Sequence, residues 1–379
     1  MAEAALPSRF QEFQEILCCP RTKGALSLIT AAELLERLPR DERSRVPEGM
    51  TAAFVSESSL TAHPIIGRIV DFLDQDSLRL SMENGEKIRA DAVDGSVLDS
   101  VKRWYDEFGW QLNDRGIYND TAMFSQVSSR AHGFYELSSH LTLLNRLPGG
   151  KFILDAASGP IAHREKLAYS WFYKYHVCVD ISLTALREAD AKLGARGFCC
   201  MADICHLPFR DGVFDGAVSG YTVQHIDSSN QATAIAELYR VLGPGAHLCL
   251  LSQIDSTRIH HALVRTLKGI RKVFRPLGNN ASHNRSSDEI SNTAAPPHGL
   301  YFYGRNLAWW RKVASGLADS YSIEGIRIFS KEEFESLFGN SRRAAEAVRA
   351  LETLFPGIAA RLCAYILLDL TKTSGGKSI

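Results

Sequence analysis

Between residues 151 and 252, short apolar runs alternate with helical patterns, and this alternation constrains the fold of the 379-residue chain more than any other feature. FILDA, YHVCVDIS, GFCCMADI, VFDGAVSGYTV and AHLCLLSQ read as strands. LTALREADAKLG and QATAIAELYRVLGPG read as helices between them, and EKLAYSWF as a link that is helical at least in part. Strands joined by helical crossovers pair in parallel with right-handed connections, so the order predicts an α/β protein with one doubly wound sheet. Ligands in such sheets bind beyond the carboxyl ends of the strands, near the point where strand order reverses.

The first three of these strands each end on an acidic residue: Asp155, Asp180 and Asp203. That layout suits a nucleoside, because one carboxylate accepts from ribose hydroxyls while another accepts from an exocyclic adenine amine. The small residues from Ala156 to Pro160 let the backbone approach a ligand closely. A dinucleotide fits less well, since its pyrophosphate calls for G-x-G-x-x-G and only Gly159 stands in this turn.

In this order and spacing, ILDAASGP, VCVDIS, ADICHLPFRDGVFDGAVSGYTVQHI and ELYRVLGPGAHLCLLSQ resemble the class I S-adenosylmethionine-dependent methyltransferases, of the type 11-like group. The resemblance implies a Rossmann-like seven-stranded sheet and S-adenosyl-L-methionine as cofactor. It implies Asp180 with Ile181 at the ribose and Asp203 with Ile204 at the adenine. The turn of Asp155, Ala157, Ser158 and Gly159 is implied at the methionine portion, and Gly220 is a further cofactor-binding candidate. Two positions where the family commonly has glycine carry Ala157 and Ile161. We expect Ala157 to be a mild change at a turn without positive φ, and Ile161 to reshape the methionine end. SGPIAHREKLAYS is similar to a subgroup with Pro-Ile and a following His in this turn.

Residues 1–80 are expected to form a small α+β unit. LCCPRTKGALSL and HPIIGRIVDFL resemble the zinc-ribbon-like activator subunits of methyltransferases, interrupted here by the helical insert AAELLERLPRDERSRV. Cys19 is followed by Thr22, and no later cysteine pair exists in residues 20–80, so no zinc is expected. Residues 97–146 read as a helical lead-in that covers the cofactor with Trp104, Tyr105, Trp110 and Tyr118. The cofactor core follows at 147–255, a substrate-side insertion at 256–320, and C-terminal strands and a helix at 321–379, where YSIEGIRIF and RLCAYILLDLTK complete the sheet as its sixth and antiparallel seventh strands.

Within the insertion, Ile259, Leu263, Leu267, Ile270 and Phe274 recur at helical spacing, with Arg258, Arg265, Lys268, Arg271, Lys272 and Arg275 largely elsewhere on the helix. Such a helix packs on a core with a solvated basic face, or else grips an anionic substrate or makes peripheral membrane contact through 257–275. The polar stretch 279–297 reads as a mobile lid. Candidate substrate contacts are His163, Gln224, Tyr301 and Trp309, with Tyr303 and Trp310 as further wall residues. Candidate catalytic groups are His225 and Tyr221 at the fourth strand end; if the acceptor is a hydroxyl, a base there assists.

Lys plus Arg equals Asp plus Glu at 43 each, so overall charge predicts no nucleic-acid coat. The eight cysteines show no disulfide or metal spacing and lie mostly in apolar runs, which suits a reducing compartment. With no secretory pattern at the N-terminus and no run near the roughly eighteen apolar residues of a membrane span, a cytoplasmic enzyme is expected. The expected acceptor is a small molecule, methylated on O, N or C. An RNA or protein methyltransferase and a non-catalytic cofactor-binding regulator are the alternatives.

Overall fold

The structure, a computed structural model, describes residues 8–80, 96–125, 130–273 and 299–373. Its strands are β1 (Ser27–Thr30), β2 (Met50–Ser56), β3 (Thr61–Ile66), β4 (Ile69–Asp71), β5 (Leu78–Arg79), β6 (Gly150–Ala156), β7 (Tyr173–Asp180), β8 (Gly197–Met201), β9 (Phe214–Gly220), β10 (Leu242–Gln253), β11 (Ser320–Arg327) and β12 (Tyr365–Thr371). All twelve join one sheet in the order β1-β2-β3-β4-β8-β7-β6-β9-β10-β12-β11, with β5 pairing β3 off this path.

The stretch β8-β7-β6-β9-β10-β12-β11 is the expected seven-stranded Rossmann-like sheet. Neighbours from β8 to β10 run parallel, and β12 is antiparallel to both its neighbours. Strand order reverses between β6 and β9, which sets the ligand cleft beyond Ala156 and Gly220. The central strands are buried on both faces, as covered parallel strands must be, so they read as unbroken apolar runs. Crossover helices are stopped locally. The helix Leu183–Leu193 begins where the Ser182 side chain accepts from the Ala185 N–H, and Gly194 follows it at φ +60°. EKLAYSWF, by contrast, forms only the 3-10 segment Arg164–Ser170 before β7 begins.

Residues 8–80 do not stand apart, because β4 pairs in parallel with β8, Ile69 opposite Cys199, and so prolongs the central sheet. Their apolar side chains merge with its core: Phe13 stacks on Phe198 at 4.3 Å, and Phe10, Phe54 and Leu17 lie in the same cluster. Burying one such Phe contributes about 1.5–3 kcal/mol. The motif ADICHLPF is the docking edge for this unit. The Cys18 N–H donates to the Pro208 carbonyl, and Lys23 reaches the Leu207 carbonyl and the Glu237 carboxylate.

Helix Arg258–Val273 does not bury the face expected of it. Leu263, Val264 and Leu267 pack with Phe329, Phe334 and Leu337, whereas Ile259 and Ile270 are 63% and 49% exposed. The inner face is led instead by buried His260, whose Nδ1 bonds the Leu362 carbonyl and whose Nε2 bonds Glu333. Two polar anchors thus set the rotation of the helix. Phe274, Arg275 and the stretch 279–297 lie outside the described residues.

Candidate active site

A cavity of about 690 Å³ opens beyond the carboxyl ends of β6, β7, β8 and β9. The helix Ser96–Trp104 and the following π-turn Tyr105–Gly109 supply Val97, Leu98, Val101, Trp104 and Tyr105 to its wall. Tyr105 and Trp110 stack at 4.9 Å, and the Trp110 indole lies directly over Gly159, where an added Cβ would come within 2.7 Å of its ring. The buried indole Nε1–H of Trp110 has no hydrogen-bond partner among the described residues.

The turn after β6 is built from left-handed residues: Ala157 at φ +55°, Gly159 at +59° and Ile161 at +50°. Ala157 therefore occupies a position that does require positive φ, contrary to the expectation, at a cost of roughly 1–2 kcal/mol. Ile161 is not among the cavity's lining residues. It is buried beneath the turn with Ile69, Leu73, Cys178 and Leu186, and this packing holds its strained backbone. The turn is held from the front by Asp180, whose Oδ2 accepts from the Gly159 N–H at 2.8 Å and whose Oδ1 accepts from the Ser182 N–H at 2.9 Å. Burial pushes the Asp180 carboxyl up to about 6, against the pull of those two N–H groups, and nearby Asp106 adds to the rise.

Asp203 lines the same cavity under the opposite balance. Burial raises its carboxyl, but His206, with Nδ1 at 3.3 Å, and the Cys205 N–H outweigh it and hold the group below its ordinary range. Ala157, Ser158, Ile181, Ile204 and Gly220 also line the cavity, and at Gly220 an added Cβ would meet open space. Asp155 is not among the lining residues. It is buried within the sheet, its Oδ2 3.4 Å from His176 Nε2, because it stands one residue inside the strand end on the face that packs inward.

At the β9 end, His225 lines the cavity with its Nδ1 bonded to the Tyr301 carbonyl at 2.8 Å, which leaves Nε2 as the lone-pair nitrogen. Burial pushes this imidazole down, against the pull of that carbonyl, and favours the neutral form. Tyr221, at φ +59°, lines the cavity and accepts at its hydroxyl from Arg327 at 2.5 Å. Gln224 lines it too, but its amide is committed to the Tyr221 carbonyl and the Ser252 hydroxyl. His163 is a lining residue.

Tyr301 and Trp309 are not among the lining residues. Tyr301 holds His225 through its carbonyl and caps the Ser228 N–H with its hydroxyl, while Trp309 packs beneath the Arg305 guanidinium. Tyr303, Trp310 and Tyr118 likewise lie outside the lining. The sequence reading missed Asp120, His140, Lys166, Arg327 and Lys331, which all line the cavity. A charged residue closing the apolar run YSIEGIR was the available signal for Arg327.

In the N-terminal unit Cys19 sits in a chain of hydroxyls. Its thiol meets Ser59 at 3.3 Å, Ser59 meets Thr61 at 2.7 Å, and Thr61 meets His63 Nε2 at 3.4 Å. Burial raises the thiol, but hydrogen bonds from His63, Ser56, Ser59 and Thr22 bring it down to about 5.

Residues 154–250 match the family model described as a methyltransferase domain. Over 92 residues the chain is 38% identical to a malonyl-[acyl-carrier protein] O-methyltransferase of Geobacter sulfurreducens, covering 24% of this chain and about a third (34%) of that relative's length. Among solved structures it is similar to a geranyl diphosphate C-methyltransferase from Streptomyces coelicolor, at 10% identity over 74% of this chain and 100% of the other, with a TM-score of 0.44. It is also similar to a chain of the complex between the Haloferax volcanii Trm112 methyltransferase activator and the putative methyltransferase, at 16% identity over 64% of this chain and 94% of the other, with a TM-score of 0.40. The strand order agrees with the family match: residues 154–250, which match the methyltransferase domain model, hold the parallel strands on both sides of the reversal.

Proposed function

We propose that the protein transfers a methyl group from S-adenosylmethionine to a small-molecule acceptor. The observation that carries this reading is the meeting of Asp180, Asp203 and the Tyr105–Trp110 stack on one cavity at the reversal of strand order. The donor set fits the cofactor. Asp180 offers remaining lone pairs to ribose hydroxyls, Asp203 is an ionised acceptor for the adenine amine, and the partnerless Trp110 N–H is a donor that a ligand oxygen would satisfy. When bound, the cofactor supplies an electrophilic methyl group on a sulfonium.

The chain's own part is alignment and exclusion of water, which such an in-line displacement chiefly requires. Val97, Leu98, Val101 and Trp104 close the cavity with apolar surface, and the Asp180-pinned turn fixes the backbone beside it. His225, with its Nδ1–H donated to Tyr301, keeps a neutral Nε2 able to take a proton from an acceptor hydroxyl. Tyr221 is oriented by Arg327 beside it. Isothermal calorimetry with S-adenosylhomocysteine tests the reading: the wild type is expected to bind one equivalent, and absence of binding to folded protein would sink it.

A further inference from the structure

We propose that the acceptor carries an anionic oxygen group, a carboxylate or a phosphate, received by Arg327 and Lys331 at the end of the cavity remote from Asp180 and Asp203. The inference rests on the methyltransferase reading and adds the chemical class of its acceptor. Among the described residues the lining is electrically divided. Asp180 and Asp203 stand at the ends of β7 and β8, with Asp120 near Tyr105, whereas Arg327 closes β11 at the far edge of the sheet. From β7 to β12, which carries the Tyr365 paired with Arg327, is four strand spacings, or roughly 19 Å. Among the described residues, Lys331, Lys166, His163 and His140 join Arg327 on the basic side, with Glu332 the acidic lining residue there, and Glu165 lies 3.9 Å from His163.

Arg327 is built into this wall. It is 4% exposed, and its guanidinium lies 3.8 Å from the Tyr365 ring and 5.1 Å from that of Tyr221, whose hydroxyl it also bonds. A register shift between Gly325 and Arg327 interrupts the ladder with β12, and such bulges re-aim side chains. A planar guanidinium fixed between two rings is preorganised for a two-pronged oxyanion contact. Lys331 lines the same wall from another direction. Only 9% exposed, it opens the helix Lys331–Phe338 that follows β11. A third observation is the field at His140. Its imidazole is pushed down to about 3 by burial and then by the positive charges of Lys166, His163 and Arg327.

The test uses full-length protein saturated with S-adenosylhomocysteine and titrated calorimetrically with inorganic phosphate and, separately, with succinate. At least one anion is expected to bind, weakened tenfold or more in Arg327→Gln and at least threefold in Lys331→Met, with S-adenosylhomocysteine affinity unchanged in both. The better anion distinguishes a phosphate from a carboxylate acceptor. Should Arg327→Gln fail to fold, Lys331→Met and the charge-preserving Arg327→Lys carry the comparison. If S-adenosylhomocysteine binds but neither anion does, or if anion binding survives both substitutions, the inference is overturned while the methyltransferase reading stands. Loss of S-adenosylhomocysteine binding in the wild type overturns that reading itself.

Discussion

Asp180 ties the turn after β6 to pH. Its carboxyl is raised to about 6 by burial, which corresponds to about 3 kcal/mol of penalty on the charged form relative to the ordinary carboxylate value. Because the folded-state pKa lies above the unfolded one, the associated stability is fully present below about pH 4 and is lost as pH rises through about 6. Under the proposed function ribose hydroxyls would donate to the ionised form, so binding would work in the opposite direction and require the proton to leave. From pH 7 to pH 5, S-adenosylhomocysteine affinity should therefore fall about tenfold, with proton release on binding in the lower half of that range. Calorimetry in two buffers of different ionisation enthalpy measures both quantities. In Asp180→Asn the dependence between pH 5 and 7 should flatten, with affinity lower by roughly ten- to a hundredfold from a lost charged hydrogen bond worth about 1.5–3 kcal/mol. An equal slope in folded Asp180→Asn would refute the assignment of the proton to Asp180, and unchanged affinity would refute its role at the ribose.

The cofactor turn gives a paired expectation. Gly159→Ala, which puts a Cβ 2.7 Å from the Trp110 ring at φ +59°, should lower urea stability by about 1–2 kcal/mol and weaken S-adenosylhomocysteine binding, whereas Ala157→Gly should leave stability equal or raise it by up to about 1 kcal/mol. His225→Asn should reduce turnover of a hydroxyl acceptor by about a hundredfold or more with cofactor affinity intact; retained turnover would remove the base. Elemental analysis of protein purified without chelator should find no stoichiometric zinc in the Cys19 unit, and one equivalent would contradict the hydroxyl-chain description.

The sequence alone determined the sheet core, because strands buried on both faces must be written as continuous apolar runs and their ends must carry the ligand-facing polar groups. Asp180 and Asp203 were legible as cavity-lining residues for that reason. Asp155 was not: it stands one residue short of the strand end, where the two-residue side-chain period turns it inward to His176, and neither face of a wholly buried strand is marked in the sequence. The left-handed backbone at Ala157 and Ile161 was hidden as well, since it is imposed by the Asp180 hydrogen bond to Gly159 and by packing beneath the turn. The basic wall depended on tertiary pairing most of all. Arg327 and Lys331 reach the cavity only because β12 inserts between β10 and β11 and carries an edge strand, far along the chain, to the side of the cleft. Likewise residues 8–80 join the sheet through backbone hydrogen bonds between β4 and β8, and such groups are the same in every residue, so no side-chain pattern announces the partner.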